Sequence, residues 1–143
     1  MSNDSEADVL GANAAFYAAF ESGDLDGMRS VWDDGDDVIC VHPGWRPVRG
    51  AAALHRSWAV VMANTPYIQF ILTDVAVSVR GDVAAVTCSE NVLAAGDETP
   101  AEAFAGGKAV ATNVFRLTAL GWRLWIHHAS PVLSPVDGPA PEG

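Results

Sequence analysis

Apolar residues recur at helical spacing over the first third of the chain and then give way to long β-like runs. Leu10, Ala14, Tyr17 and Ala18 fall at helical steps, as do Phe16 and Phe20, which predicts a helix over 9–22 ended by Gly23. Asp24 then stands as the N-cap of a shorter helix reaching about Trp32, with Leu25, Met28 and Trp32 on one face. The Asp/Gly run to Asp37 reads as a turn, and 38–42 as a short strand closed by Pro43-Gly44. Gly50 precedes a third helix over 51–63, apolar at Leu54, Trp58, Val61 and Met62. The remainder reads as strands over 68–79, 83–93, 107–120 and 122–132. Arg80-Gly81-Asp82 and Ala119-Leu120-Gly121 supply hairpin turns, and 94–106 is a loop rich in Gly, Ala and acids. One domain over 9–133 is expected, between a flexible acidic segment at 1–8 and a disordered proline-rich tail at 134–143.

This order has a physical consequence. Long antiparallel strands twist and curl, and three amphipathic helices can cover the concave side. The expected fold is α+β: a cone of three N-terminal helices packed on a curved, mostly antiparallel β-sheet, with an apolar interior. Val83, Ala84, Ala85, Val86, Val114 and Phe115 make the strands apolar on both faces. A sheet with one solvated face alternates more cleanly, so a second copy of the chain is expected to cover the outer face as a homodimer.

Charge narrows the partners. The formal net charge is −10, and residues 1–37 hold ten of the acids with Arg29 as their one base. Such a chain repels phosphate backbones, which argues against nucleic acid. No apolar run reaches the length of a membrane span, and the acidic N-terminus is no signal peptide. A cytoplasmic protein with Cys40 and Cys88 as buried thiols is expected. Asp33-Asp34-Gly35-Asp36-Asp37 lacks the spacing and closing Glu of a calcium loop.

Two strands end on imidazole and are stopped by proline: Cys40-Val41-His42-Pro43-Gly44-Trp45, and Trp122 through His127-His128-Ala129-Ser130-Pro131. Such a strand presents a titratable group at the rim of what the sheet encloses. Glu90 lies in the otherwise uncharged run Val86-Thr87-Cys88-Ser89-Glu90-Asn91-Val92-Leu93. A carboxylate there is either a cavity base with a raised pKa or a strand-face group paired with Arg116. Strict alternation gives His128 the parity of Trp122, Leu124 and Ile126 and sends it inward, with His127 outward beside Arg123 and Trp125. Glu90 and His128 are the candidate catalytic residues. Tyr17, His42, Trp45, Trp58 and Asn113 are candidates for lining a ligand pocket. Each has a packing alternative: a core histidine, a core tryptophan, a strand-edge amide. A His42-Glu90-His128 metal site has no supporting spacing, and neither metal nor cofactor is expected.

The chain resembles the nuclear-transport-factor-2-like superfamily, and within it the SnoaL-like group, over 9–132. The resemblance rests on element order and on three segments. They are Phe16-Tyr17-Ala18-Ala19-Phe20-Glu21-Ser22-Gly23-Asp24-Leu25-Asp26, Val41-His42-Pro43-Gly44-Trp45 leading to Gly50 and Trp58, and Asn113-Val114-Phe115-Arg116 followed by Gly121-Trp122-Arg123 and His127 through Val132. It implies the cone fold and a pocket for a small apolar or aromatic ligand. The enzymes of this group include ketosteroid isomerases, polyketide cyclases and limonene-epoxide hydrolases, which transfer protons in an apolar cone. The isomerase pattern sets a Tyr deep in the pocket beside an Asp base; here the two tyrosines, Tyr17 and Tyr67, both precede the late strands. Two function classes therefore stand open. One is a cofactor-independent isomerase, cyclase or hydrolase; the other is a non-catalytic ligand-binding or oligomerisation module.

Overall fold

The structure, a computed structural model, describes residues 2–94 and 107–133. The elements, in chain order, are α1 (Ser2–Ser22), α2 (Leu25–Val31), β1 (Ile39–Val41), β2 (Val48–Arg49), α3 (Ala51–Ala63), β3 (Ile68–Arg80), β4 (Val83–Ala94), β5 (Lys108–Thr118) and β6 (Gly121–Pro131). The expected loop at 94–106 and the tail at 134–143 lie almost wholly outside the described residues.

Local chemistry accounts for the helix boundaries. Asp24 caps α2 by accepting from the Gly27 amide at 2.9 Å. Gly50 precedes α3 with φ 86°, a conformation that favours glycine, and its amide donates to the Val38 carbonyl at 2.9 Å. That bond ties the start of α3 to the start of β1. Helix α1 begins at Ser2, seven residues before the position expected from its periodicity. Its buried stripe is Val9, Asn13, Phe16, Tyr17 and Phe20, while Ala14 and Ala18 face solvent. Of the positions expected from spacing, Phe16, Tyr17 and Phe20 are thus buried and Leu10 is half-buried, while Ala14 and Ala18 lie off the stripe.

Among the described residues six strands form one sheet in the order β2-β1-β6-β5-β4-β3. All neighbours are antiparallel except β1, which runs parallel to β6 through Ile39↔Ile126, Cys40↔His127 and Val41↔His128. Two irregularities bend the sheet. In β3 the register shifts between Thr73 and Ala76, where Asp74 has φ 55°. In β6, Val114 pairs with Ile126 but Phe115 pairs with Leu124, so Trp125 is an extra residue. Such bulges strengthen twist and re-aim side chains.

The helices pack on the concave face. Trp32, Trp58, Phe16, Phe115, Met28, Leu54 and Leu124 are buried there almost completely. Phe16 and Phe20 meet Trp58 edge-on at 5.5 and 5.0 Å between ring centroids. No helix among the described residues is long and apolar enough to cross a membrane.

Candidate functional site

The inward positions of the central strands are apolar except at one polar position on each. Ala84, Val86 and Cys88 on β4 lead to Glu90, and Phe115 on β5 leads to Asn113. Both polar groups are buried, Glu90 at 4 % and Asn113 at 0 % exposure, so each must find a partner within the protein. Helix α1 provides them. The Tyr17 hydroxyl donates to Glu90 Oε2 at 2.5 Å. The Asn113 amide nitrogen donates to Asn13 Oδ1 at 2.8 Å and to the Tyr17 oxygen at 3.2 Å. The Asn113 amide oxygen lies 2.5 Å from His127 Nδ1.

His127 occupies the place expected of His128. The Trp125 bulge inserts one residue into β6, and a one-residue change of phase moves every later side chain to the other face. Leu124, before the bulge, points inward as alternation gives it; past the bulge His127 and Ala129 point inward and His128 is exposed on the outer face. Glu90 and His128 do not converge; they lie on opposite sides of the sheet. The expectation that His128 faces the interior is corrected accordingly, and so is that of His127 on the outside.

Tyr17, His42, Trp58, Glu90 and His127 border one small cavity whose other walls include Phe16, Phe20, Pro43 and Phe70. Its volume is about 20 Å³, counted as space open to the centre of a water molecule, which is room for roughly one water. A second space of about 10 Å³ adjoins it at Pro43 and Glu90 and extends to Lys108 and Pro131. Asn113 stands one bond behind the cavity. Trp45 is 42 % exposed and lies outside it, packed edge-on over His42 at 4.7 Å. Arg116, the alternative partner for Glu90, is on the outer face instead. It pairs with Asp33 and with Asp37, and its guanidinium lies over the Trp125 ring.

The surroundings displace every titration in this cluster. Burial raises the Glu90 carboxyl above the usual carboxylate range, opposed by the Tyr17 hydrogen bond. Burial, then the neighbouring Glu90, pushes the Tyr17 phenol far up, so Tyr17 keeps its proton. Burial lowers His42 to about 4 and, helped by His42 and His128 nearby, His127 to about 3. Both imidazoles are thus neutral near pH 7. Their tautomers follow from their partners. Ser57 Oγ donates to the Leu54 carbonyl at 2.7 Å, so it accepts from His42 Nε2 at 2.9 Å, leaving a lone pair on Nδ1. His127 donates from Nδ1 to Asn113, leaving a lone pair on Nε2.

The arrangement places a carboxyl of raised pKa, a hydroxyl donor and a neutral imidazole acceptor around one aromatic-walled space. Among the described residues no three His, Cys, Asp or Glu side chains gather to hold a metal ion. Asn13, Ser57 and His127 escaped the sequence reading. Asn13 was legible in principle, as a polar residue on the stripe shared by Val9, Phe16, Tyr17 and Phe20. Nothing in the sequence announced the bulge that turns His127 inward.

Comparison with known proteins places this geometry in context. The SnoaL-like domain model matches residues 9–134. A dehydratase candidate of the NTF2-like family from Streptomyces avermitilis is 48 % identical, with a TM-score of 0.85, over 94 % of this chain and 100 % of that one. A candidate calcium/calmodulin-dependent protein kinase type II association domain from Thiobacillus denitrificans is 36 % identical, with a TM-score of 0.74, over 85 % and 93 %. An NTF2-like protein of unknown function from Pseudomonas putida shares the fold at 21 % identity, with a TM-score of 0.75, over 91 % and 88 %. No curated protein matches the chain.

Proposed function

The chain belongs to the SnoaL-like family of the NTF2-like superfamily, and from that premise we propose that it is an acid/base enzyme acting on a small, largely apolar substrate that carries oxygen. The observation that supports this most is the convergence of Glu90, Tyr17 and His127 on one small cavity walled by Phe16, Phe20, Trp58 and Phe70. An enzyme that moves protons needs one group that holds a proton and one that accepts it near working pH. Burial shifts the Glu90 carboxyl toward holding a proton and keeps the His127 imidazole neutral, with a lone pair free to take one. The cavity holds about one water, so a substrate enters only when the walls move apart.

Elimination of water from a β-hydroxy carbonyl compound is the reaction to test first, since the relative from Streptomyces avermitilis is a dehydratase candidate. His127 Nε2 takes the proton from the carbon beside the carbonyl, and that C–H electron pair becomes the new C=C bond. Glu90 gives its proton to the departing hydroxyl, which leaves as water. The site resets when His127 loses its proton and Glu90 regains one from solvent. Tyr17, which keeps its own proton, holds the Glu90 carboxyl in place.

The test is turnover of a panel of small β-hydroxy ketones and thioesters, followed by the absorbance of the conjugated product. Glu90→Gln is expected to lower kcat by a factor of about 10² to 10⁴ with the fold intact. His128→Gln is expected to leave kcat unchanged. Turnover unaffected by Glu90→Gln overturns the reading.

A second reading, a non-catalytic association module, draws on the relative from Thiobacillus denitrificans. It also draws on the outer sheet face, where Ile71, Leu93 and Val110 are about half exposed. A homodimer through that face fits both readings, and light scattering at micromolar concentration checks it. A dimer that binds no member of the substrate panel favours the module.

A further inference from the structure

We propose that Asn113 is a positioning residue that locks His127 in its Nδ1–H tautomer, so that Nε2 is the basic atom offered to the cavity. The proposal rests on the acid/base reading above for its functional consequence, but its structural content stands on the hydrogen bonds alone.

An amide has two N–H hydrogens and one accepting oxygen, and in Asn113 all three are assigned. One hydrogen goes to Asn13 Oδ1 and the other to the Tyr17 oxygen. Tyr17 spends its only hydrogen on Glu90, so its oxygen is free to accept from Asn113. Both directions of Asn113 are therefore fixed from the helix side: nitrogen toward α1, oxygen toward β6. An amide oxygen cannot donate, so His127 Nδ1 must carry the hydrogen. Turning the amide over would require Asn13 to turn as well, so that its nitrogen met the Asn113 oxygen. It would also need the Tyr17 hydrogen to leave Glu90.

The lock matters because imidazole in water prefers the other tautomer, with the hydrogen on Nε2. In that form the atom bordering the cavity would be a donor and could accept no proton. An orienting partner on the far nitrogen decides which ring atom is basic. The four residues come from α1, β5 and β6, joined at the point where β6 changes phase. Asn113 touches no part of the cavity itself; it acts through His127.

The experiment is a long-range ¹H–¹⁵N spectrum of the histidine rings of the full chain near pH 7, without substrate. His127 is expected to show a protonated Nδ1 and an unprotonated Nε2. Wild-type protein with the hydrogen on Nε2 overturns the proposal outright, whatever any variant does. Asn113→Asp keeps an accepting oxygen at the same point and is expected to retain Nδ1–H. Asn113→Leu, if it folds, is expected to move the hydrogen to Nε2 and lower kcat by a factor of about 10² with little change in KM. Retention of the wild-type tautomer in Asn113→Leu also overturns it. Because the spectrum needs no turnover, a confirmed tautomer with kcat unaffected by Glu90→Gln would sink the enzymatic reading alone.

Discussion

Strand β5 carries two polar clusters on opposite faces, three residues apart, and they obey different physics. On the outside, Arg116 joins Asp33 and Asp37 across 2.5 to 3.0 Å and its guanidinium lies 4.8 Å from the Trp125 ring centroid. On the inside, Asn113 joins Asn13, Tyr17 and His127, and Tyr17 joins Glu90. The outer cluster uses full charges, yet water and salt screen them, and each side chain could be solvated if released. The inner cluster is largely neutral, yet it is buried beside a cavity with room for about one water, so lost partners are poorly replaced. Weak-looking bonds are thus the stronger constraint. The proposed chemistry is set on the inner face because there, among the described residues, burial displaces the titration of carboxyl and imidazole in opposite directions.

Breaking each cluster at its hub gives the largest contrast. Asn113→Leu leaves Asn13, Tyr17 and His127 each short of a partner, a loss of roughly 3 kcal/mol or more. Arg116→Ala breaks an exposed network and is expected to lose about 1 kcal/mol or less. Urea unfolding of both variants measures the difference; equal losses would erase the distinction.

The dependence on pH separates the clusters next. His42 and His127 are depressed in the folded state, to about 4 and about 3, against an ordinary value near 6.5. Their stabilisation is complete above about pH 6.5 and is lost as pH falls through those values; for His42 the shift corresponds to about 3 kcal/mol. Glu90 is raised, so its contribution is complete below about pH 4.3 and lost as pH rises through its folded value. Asp37, lowered chiefly by its hydrogen bonds to Arg116, also contributes on the acid side. Salt distinguishes the two: at about 0.5 M the Asp37 part shrinks and the histidine part persists. Thermal unfolding between pH 3 and 8 at two salt concentrations checks this. Glu90→Gln should flatten the alkaline limb alone.

The smallest effects lie at the rim. His128→Ala on the outer face is expected to change stability by no more than about 0.5 kcal/mol. Trp45→Ala is expected to lose about 1 kcal/mol through its edge-on contact with His42. A larger loss at His128 than at Trp45, measured in the same urea series, would mean that His128 is more deeply engaged than the fold indicates.

The sequence made the elements legible because their signals are local. Asp24 before Leu25, Gly50 before α3 and Arg80-Gly81-Asp82 between β3 and β4 each act within a few residues. Strand β2 was missed because two residues carry no periodicity. Glu90 stood out as a lone charge in an otherwise uncharged run, and it is buried. The inward histidine was misread because alternation holds only while strand phase is constant, and Trp125 breaks it. Its bulge is a property of the β5–β6 pairing, invisible along either strand by itself. Trp45 and Trp58 look equivalent by composition; the fold separates them, since one caps His42 from outside and the other sits under α1.

The central claim is a buried carboxyl whose titration is pushed up beside an imidazole whose titration is pushed down. A single NMR titration, following the Glu90 carboxyl ¹³C and the His127 ring ¹⁵N in the same labelled sample, tests it most directly. The account predicts a Glu90 midpoint above the ordinary value of about 4.3 and a His127 midpoint below about 6.5. A Glu90 midpoint at or below about 4.3, with His127 titrating at or above about 6.5, would contradict it.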